Sequence, residues 1–203
     1  DIETLVELDK SDERYKPLYN FFNNNWGSNH LHFKKGVELK AIFEVRYSIG
    51  TKVESEAIGT KVENEARGES EVIRTKVESE VTLLLHGSNV INWKSIINNG
   101  MKIPAHPGMF GKGIYFANCF GKSYAYCGRQ PDQHCVLGLY EVCLGKKLKL
   151  VSANNSLTSE TLPKGYDSVW GQGSSSYNQF DIVSGAKLYK NHFTKTSQKF
   201  DLL

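Results

Sequence analysis

No stretch of this chain approaches the length of an apolar membrane span, and its first residues lack the basic-then-apolar pattern of a secretory leader. Cysteine is scarce. The four present, Cys119, Cys127, Cys135 and Cys143, form no C-x-x-C pair, so a zinc site has little support and no metal is expected. Buried free thiols in a reducing compartment, cytoplasmic or nuclear, are the expectation. A large excess of one charge is also missing. Lys and Arg number 25 against 22 Asp and Glu, and the net charge of +3 is too mild to argue nucleic-acid binding by itself. The Gly-Lys-Gly at residues 111–113 lacks the spacing of a phosphate-binding loop. Strand-like and helix-like segments do not alternate regularly, which argues against a doubly wound sheet.

What is present suits one domain with a real core. Of 203 residues, 39% are hydrophobic, and ten Tyr and ten Phe accompany eighteen Gly and five Pro, a strand-rich composition with many turns. The expected organisation is a single α+β domain over residues 1–203, interrupted by a charged insertion at about 51–80. That insertion is a short internal repeat: TKVESEA at residues 51–57 recurs as TKVENEA at 60–66 and TKVESEV at 75–81. Between residues 51 and 80, five basic residues against eight glutamates give −3, leaving +6 for the rest. A protruding hairpin and a disordered excursion are both open for it. The chain opens on Asp, which fits a processed or excised N-terminus.

Along the chain, a short helix is expected near Pro17–Asn23, and alternation from Leu39 to Tyr47 predicts a strand. Residues 81–85 read as a central strand. Val90, Trp93, Ile96 and Ile97 recur at helical spacing, with Gly100 as the stop. Residues 113–117 read as a strand, and Asn118 as the cap of a short helix ending at Gly128. Further strands are expected at 136–144, 147–151, 180–183 and 187–189.

Two features carry chemistry. A strand end presents His86, Gly87 and Ser88, where a ligand can approach main chain flanked by polar side chains. Residues 109–117 (MFGKGIYFA) combine two glycines, a lysine and aromatics against which a flat ring could stack. Taken singly these are weak: Tyr115 and Phe116 read as core aromatics, His86 as a satisfied strand-end histidine, Ser123 as a helix-surface serine.

Taken in order they are specific. LLLHGS at 83–88, GKGIYFA at 111–117, Lys122-Ser123, Tyr126-Cys127, LPKG at 162–165 and Tyr177-Asn178 resemble the poly(ADP-ribose) polymerase catalytic domain. The resemblance runs from about Leu83 to Tyr189 and is fainter before Tyr47; the repeat insertion has no expected counterpart. It implies an ADP-ribosyltransferase fold, with two packed, mainly antiparallel sheets and short helices around an NAD cleft. It implies NAD as substrate and no metal. Gly87 main chain and the Ser123 hydroxyl would hold the nicotinamide carboxamide, and Tyr126 and Tyr115 would enclose the ring. His86 and Ser88 would hold the adenosine ribose, with Asn92 and Lys102 near the adenosine; Phe116 belongs to the same pocket. Lys102 stands where the family often has Arg, a different donor.

One departure matters. The resemblance implies catalytic roles for His86, Tyr115 and the residue after Tyr177-Asn178, where the family commonly has Glu and this chain has Gln179. Cleaving the nicotinamide–ribose bond builds positive charge on the sugar, as in glycoside hydrolysis. A carboxylate stabilises that charge; an amide does not, and losing one such stabiliser costs on the order of a hundred- to a thousandfold in rate. Three readings are open: an engineered silencing of the enzyme, a natural mono-ADP-ribosyltransferase, or a weakly catalytic NAD or ADP-ribose binder. NAD glycohydrolysis is a further alternative. Asp167 and Asp181 are poor substitutes for the missing acid. A protein side chain is the expected acceptor, with nucleic acid also open. It would enter beside a mobile Gly- and Ser-rich loop at 162–176. A monomer is expected. Little chain precedes the core, so no regulatory helical domain and no activation by DNA breaks are expected from it.

Overall fold

The computed structural model describes residues 2–47, 81–128, 134–172 and 176–192. The repeat at 51–80 therefore lies outside the described residues. Among them, eight strands and four helical segments are α+β in arrangement.

The centre is a four-stranded sheet in the order β4-β3-β8-β7. Its strands are β3 (Val81–Gly87), β4 (Leu137–Cys143), β7 (Ser176–Val183) and β8 (Ala186–His192). β3 runs antiparallel to β4 from Val81↔Cys143 to Gly87↔Leu137, and parallel to β8 at Thr82↔Lys187. β7 and β8 form an antiparallel hairpin through Ser184 and Gly185, both at positive φ, 51° and 82°. A two-stranded antiparallel ribbon joins β1 (Ile2–Glu7) to β2 (Phe43–Tyr47). A parallel pair joins β5 (Lys147–Leu150) to β6 (Ser168–Gly171).

The core forms where apolar faces meet. Leu83 and Leu85 on β3 point with Val183, Ala186 and Leu188 toward Phe21 of α1 (Tyr15–Asn24). Fully burying such a side chain contributes about 1.5–3 kcal/mol. A second, aromatic cluster ties α1 to α3 (Phe120–Tyr124), the helix that carries Ser123. Phe120 meets Phe21 and Phe22 at 5.1 Å each, and Tyr124 meets Trp26 edge-on at 5.5 Å. The Phe120 amide donates to the Asn25 carbonyl at 2.7 Å, and Asn25 Nδ2 donates to the Asn118 carbonyl at 2.7 Å. The start of α3 is thus pinned to the end of α1.

Several expectations need correction. Residues 113–117 form no strand; only Ala117 bridges to Leu85, because the preceding loop turns its polar groups onto other loops. Asn118 is not the cap of α3. Cys119 precedes the helix in an extended conformation, and Asn118 Oδ1 is buried without a hydrogen-bond partner. Residues 39–42 stay outside β2. The segment at 162–176 contains β6 rather than being loop throughout. On α2 (Val90–Asn99), Trp93 is buried but Val90 is exposed, so the apolar stripe only partly faces the core. Cys119 and Cys127 are buried, whereas Cys135 is half-buried and Cys143 exposed.

Candidate active site

The end of β3 is the floor of the site. A β-carbon on Gly87 would run into the carbonyl oxygen of Ser123, so only glycine lets α3 lie against the strand end. Ser123 is 3% exposed, and its hydroxyl donates to the Leu85 carbonyl at 3.0 Å. Its oxygen lone pairs remain to accept from a ligand; to donate, the hydroxyl must rotate away from Leu85.

One residue earlier, His86 Nδ1 lies 2.9 Å from the Tyr115 carbonyl. A carbonyl only accepts, so Nδ1 carries the hydrogen and a neutral ring presents Nε2 as an acceptor. The ring is flanked by Trp93, Phe116 and Tyr140, at centroid distances of 6.3, 5.9 and 6.5 Å. These contacts fix its plane. Ser88 Oγ accepts from Asn92 Nδ2 at 3.0 Å, and Trp93 Nε1 donates to the Ser88 carbonyl at 3.2 Å. The Asn89 side chain caps α2 by accepting from the Ile91 amide.

The opposite wall is the loop that ends at Tyr115. Gly108 and Gly111 exchange two main-chain hydrogen bonds, and Gly111 has φ of 95°. The Tyr115 hydroxyl donates to the Gly111 carbonyl at 2.7 Å and accepts from the Phe110 amide at 3.1 Å. The ring covers Gly108, where a β-carbon would meet it at 2.7 Å. Burial pushes the Tyr115 phenol above its ordinary pKa. Behind the loop, Lys112 donates its amide to the Leu157 carbonyl, and Asn154 to that of Met109.

Between these walls lies a cleft of about 540 Å³, a size that suits a small organic ligand. His86, Gly87, Ser88, Asn92, Lys102, Tyr115, Phe116, Ser123 and Tyr126 all line it. The structure thus brings together every binding residue singled out from the sequence. Tyr126 is 58% exposed and Tyr115 half-buried. Lys102 and Lys122 are the lysines of the described lining, which holds no carboxylate; the local field suits an anionic ligand. Sequence reasoning missed Ser95 and Ile96, which follow Asn92 at helical spacing on α2, and Met109 and Ile114 in the loop. The helical spacing was a usable signal for the first two.

Gln179 stands on β7, with its main chain opposite Lys190. Its side chain lies outside the described residues. Asp167 accepts from the Lys146 amide at 2.7 Å, away from the cleft lining. Among the described residues, no group of three or more His, Cys, Asp or Glu is placed to hold a metal, and no helix is long and apolar enough to cross a membrane.

The poly(ADP-ribose) polymerase catalytic domain matches residues 12–198. Poly [ADP-ribose] polymerase 1 of Caenorhabditis elegans is 40% identical over 96 residues, covering 45% of this chain and 10% of the relative. Poly [ADP-ribose] polymerase 2-A of Oryza sativa subsp. japonica is 40% identical over 102 residues, 47% of this chain and 15% of the relative. For poly [ADP-ribose] polymerase 1 of Gallus gallus the figures are 42% over 97 residues, 45% and 9%. The matched segments are thus a small part of these longer proteins. Since the family match covers most of the sequence, this chain belongs to the poly(ADP-ribose) polymerase catalytic-domain family and has its ADP-ribosyltransferase fold.

Proposed function

We propose that this chain binds NAD in the cleft, cleaves its nicotinamide–ribose bond and transfers ADP-ribose to a protein side chain. The observation that carries this reading is the convergence of nine residues, from separate stretches of the sequence, on one cleft that holds two lysines and no described acid. Nicotinamide would sit between Tyr115 and Tyr126, its carboxamide on Gly87 main chain and Ser123. His86 Nε2 would accept from a ribose hydroxyl, beside Ser88, with Asn92 and Lys102 toward the adenosine.

Gln179 decides the chemistry after binding. It can hydrogen-bond the ribose but supplies no negative charge to a developing oxocarbenium ion. It also cannot accept a proton from an attacking hydroxyl. Transfer of single units is therefore expected over chain growth. Gln179 equally favours a second reading, an NAD-binding module with little turnover. Incubation with adenylate-labelled NAD separates them: labelled protein with free nicotinamide supports transfer, free ADP-ribose alone supports hydrolysis, and neither product supports the binding module. Gln179→Glu should raise nicotinamide release on the order of a hundredfold or more if charge alone is missing.

A further inference from the structure

The β5–β6 pair carries a charged face that the cleft does not use. Lys147 and Lys149 alternate to one side of β5, both exposed, about 7 Å apart along the strand. Their ammonium groups lie over the same ring, that of Trp170 on β6, at 5.5 and 5.3 Å from its centroid. Next to them, Lys146 Nζ lies 4.8 Å above the ring of Tyr166. None of the three forms an ion pair among the described residues. The nearby acid, Asp167, is engaged with the Lys146 main-chain amide. Three exposed cations thus lie against aromatic faces and, among the described residues, lack a counter-charge, an arrangement that spends little side-chain entropy when an anion arrives. β5 pairs only with β6 among the described strands, so its other edge offers main-chain groups as well.

We propose that this face docks an extended acidic protein segment with carboxylates on alternate residues. Such a segment presents its charges at the spacing of Lys147 and Lys149 and can add main-chain hydrogen bonds along β5. Single-stranded nucleic acid fits less well, because it needs bare aromatic faces for base stacking and the ammonium groups cover those of Trp170 and Tyr166. The face also backs onto the cleft. Gly171, at the end of β6, packs so closely on Phe110 that a β-carbon would strike its ring, and Phe110 neighbours the loop closed by Tyr115. If the proposed transfer holds, the docked segment belongs to the acceptor; that link rests on the transfer reading, whereas docking does not.

The test is fluorescence anisotropy of the full chain with a labelled twelve-residue peptide of alternating Glu and Ser, compared with a peptide of the same composition with its Glu in one block and with oligo-dT. The alternating peptide should bind best, and weaken with added salt. The double variant Lys147→Gln/Lys149→Gln should bind it about tenfold more weakly. Trp170→Leu, which keeps both charges but not their platform, should weaken it to a lesser degree. Unchanged melting temperature in the absence of peptide verifies that the variants fold. Equal affinity of the double variant, equal binding of the blocked peptide, or tighter binding of oligo-dT through the same lysines would each overturn the proposal. Because the readout is binding, its failure is distinct from a failure of NAD turnover.

Discussion

His86 gives the hydrogen on Nδ1 to the main-chain carbonyl of Tyr115, 2.9 Å away, and so joins the end of β3 to the opposite wall of the cleft. In the neutral ring this bond leaves Nε2 as the acceptor. His86→Phe keeps a ring among Trp93, Phe116 and Tyr140 while removing both nitrogens. NAD affinity should fall about tenfold, one hydrogen bond's worth. Benzamide, which lacks the ribose, should bind nearly as before. Calorimetry with both ligands checks this; an unchanged NAD affinity removes His86 from the site.

Gly87 leaves no space for a side chain, because the Ser123 carbonyl occupies the place of a β-carbon. Gly87→Ala must push α3 away from β3 and displace Ser123 from Leu85. Loss of benzamide binding is expected, along with a lower melting temperature. Wild-type benzamide affinity in this variant would mean that the strand end is not the carboxamide site.

Tyr115 gives a pH-dependent outcome. Burial raises its pKa above the ordinary 10.0, so the folded state holds the phenolic proton more tightly than the unfolded chain. That contribution is complete below pH 10.0 and is lost as pH rises through the raised value. Tyr115→Phe should remove this part of the alkaline loss. It should also cost about 1–3 kcal/mol at neutral pH, since the Phe110 amide and Gly111 carbonyl lose their partner. Urea titrations at about pH 8 and about pH 11 measure both effects. A variant as alkali-sensitive as the parent contradicts the assignment.

At the other end of the pH scale, Asp12 accepts from the Arg14 side chain and amide, and its pKa falls from 3.8 to about 2. A lowered carboxylate pKa stabilises the fold above pH 3.8, and this is lost as pH drops through about 2. Asp12→Asn should flatten the acid limb of the stability profile in that window. The effect should be small, because the pair is close to solvent. An identical acid limb would show that the contact contributes nothing in solution.

These residues were legible to different degrees. His86, Gly87, Ser88, Tyr115 and Tyr126 could be chosen from sequence because their order matches a family pattern, and they converge although they sit on a strand, a loop and the turn after a helix. The apolar run at residues 81–85 marked β3, and its Leu83 and Leu85 sit in the core. By contrast, β6 has only four residues and takes its order from pairing with β5, a long-range contact without local signature. β1 was also missed; its partner β2 is more than thirty residues away, and Leu5 and Val6 stay exposed. Residues 113–117 looked like a strand because they are apolar and aromatic. That composition serves the cleft wall instead, with Tyr115 anchored to Gly111. The cation–ring contacts of Trp170 depend on strand register and were invisible in the sequence.

The most direct test of the NAD site is a crystal structure of this chain with 3-aminobenzamide. The expected result is a ring between Tyr115 and Tyr126, its amide paired with both main-chain groups of Gly87. A ring bound elsewhere, or an amide that leaves Gly87 untouched, would contradict the account.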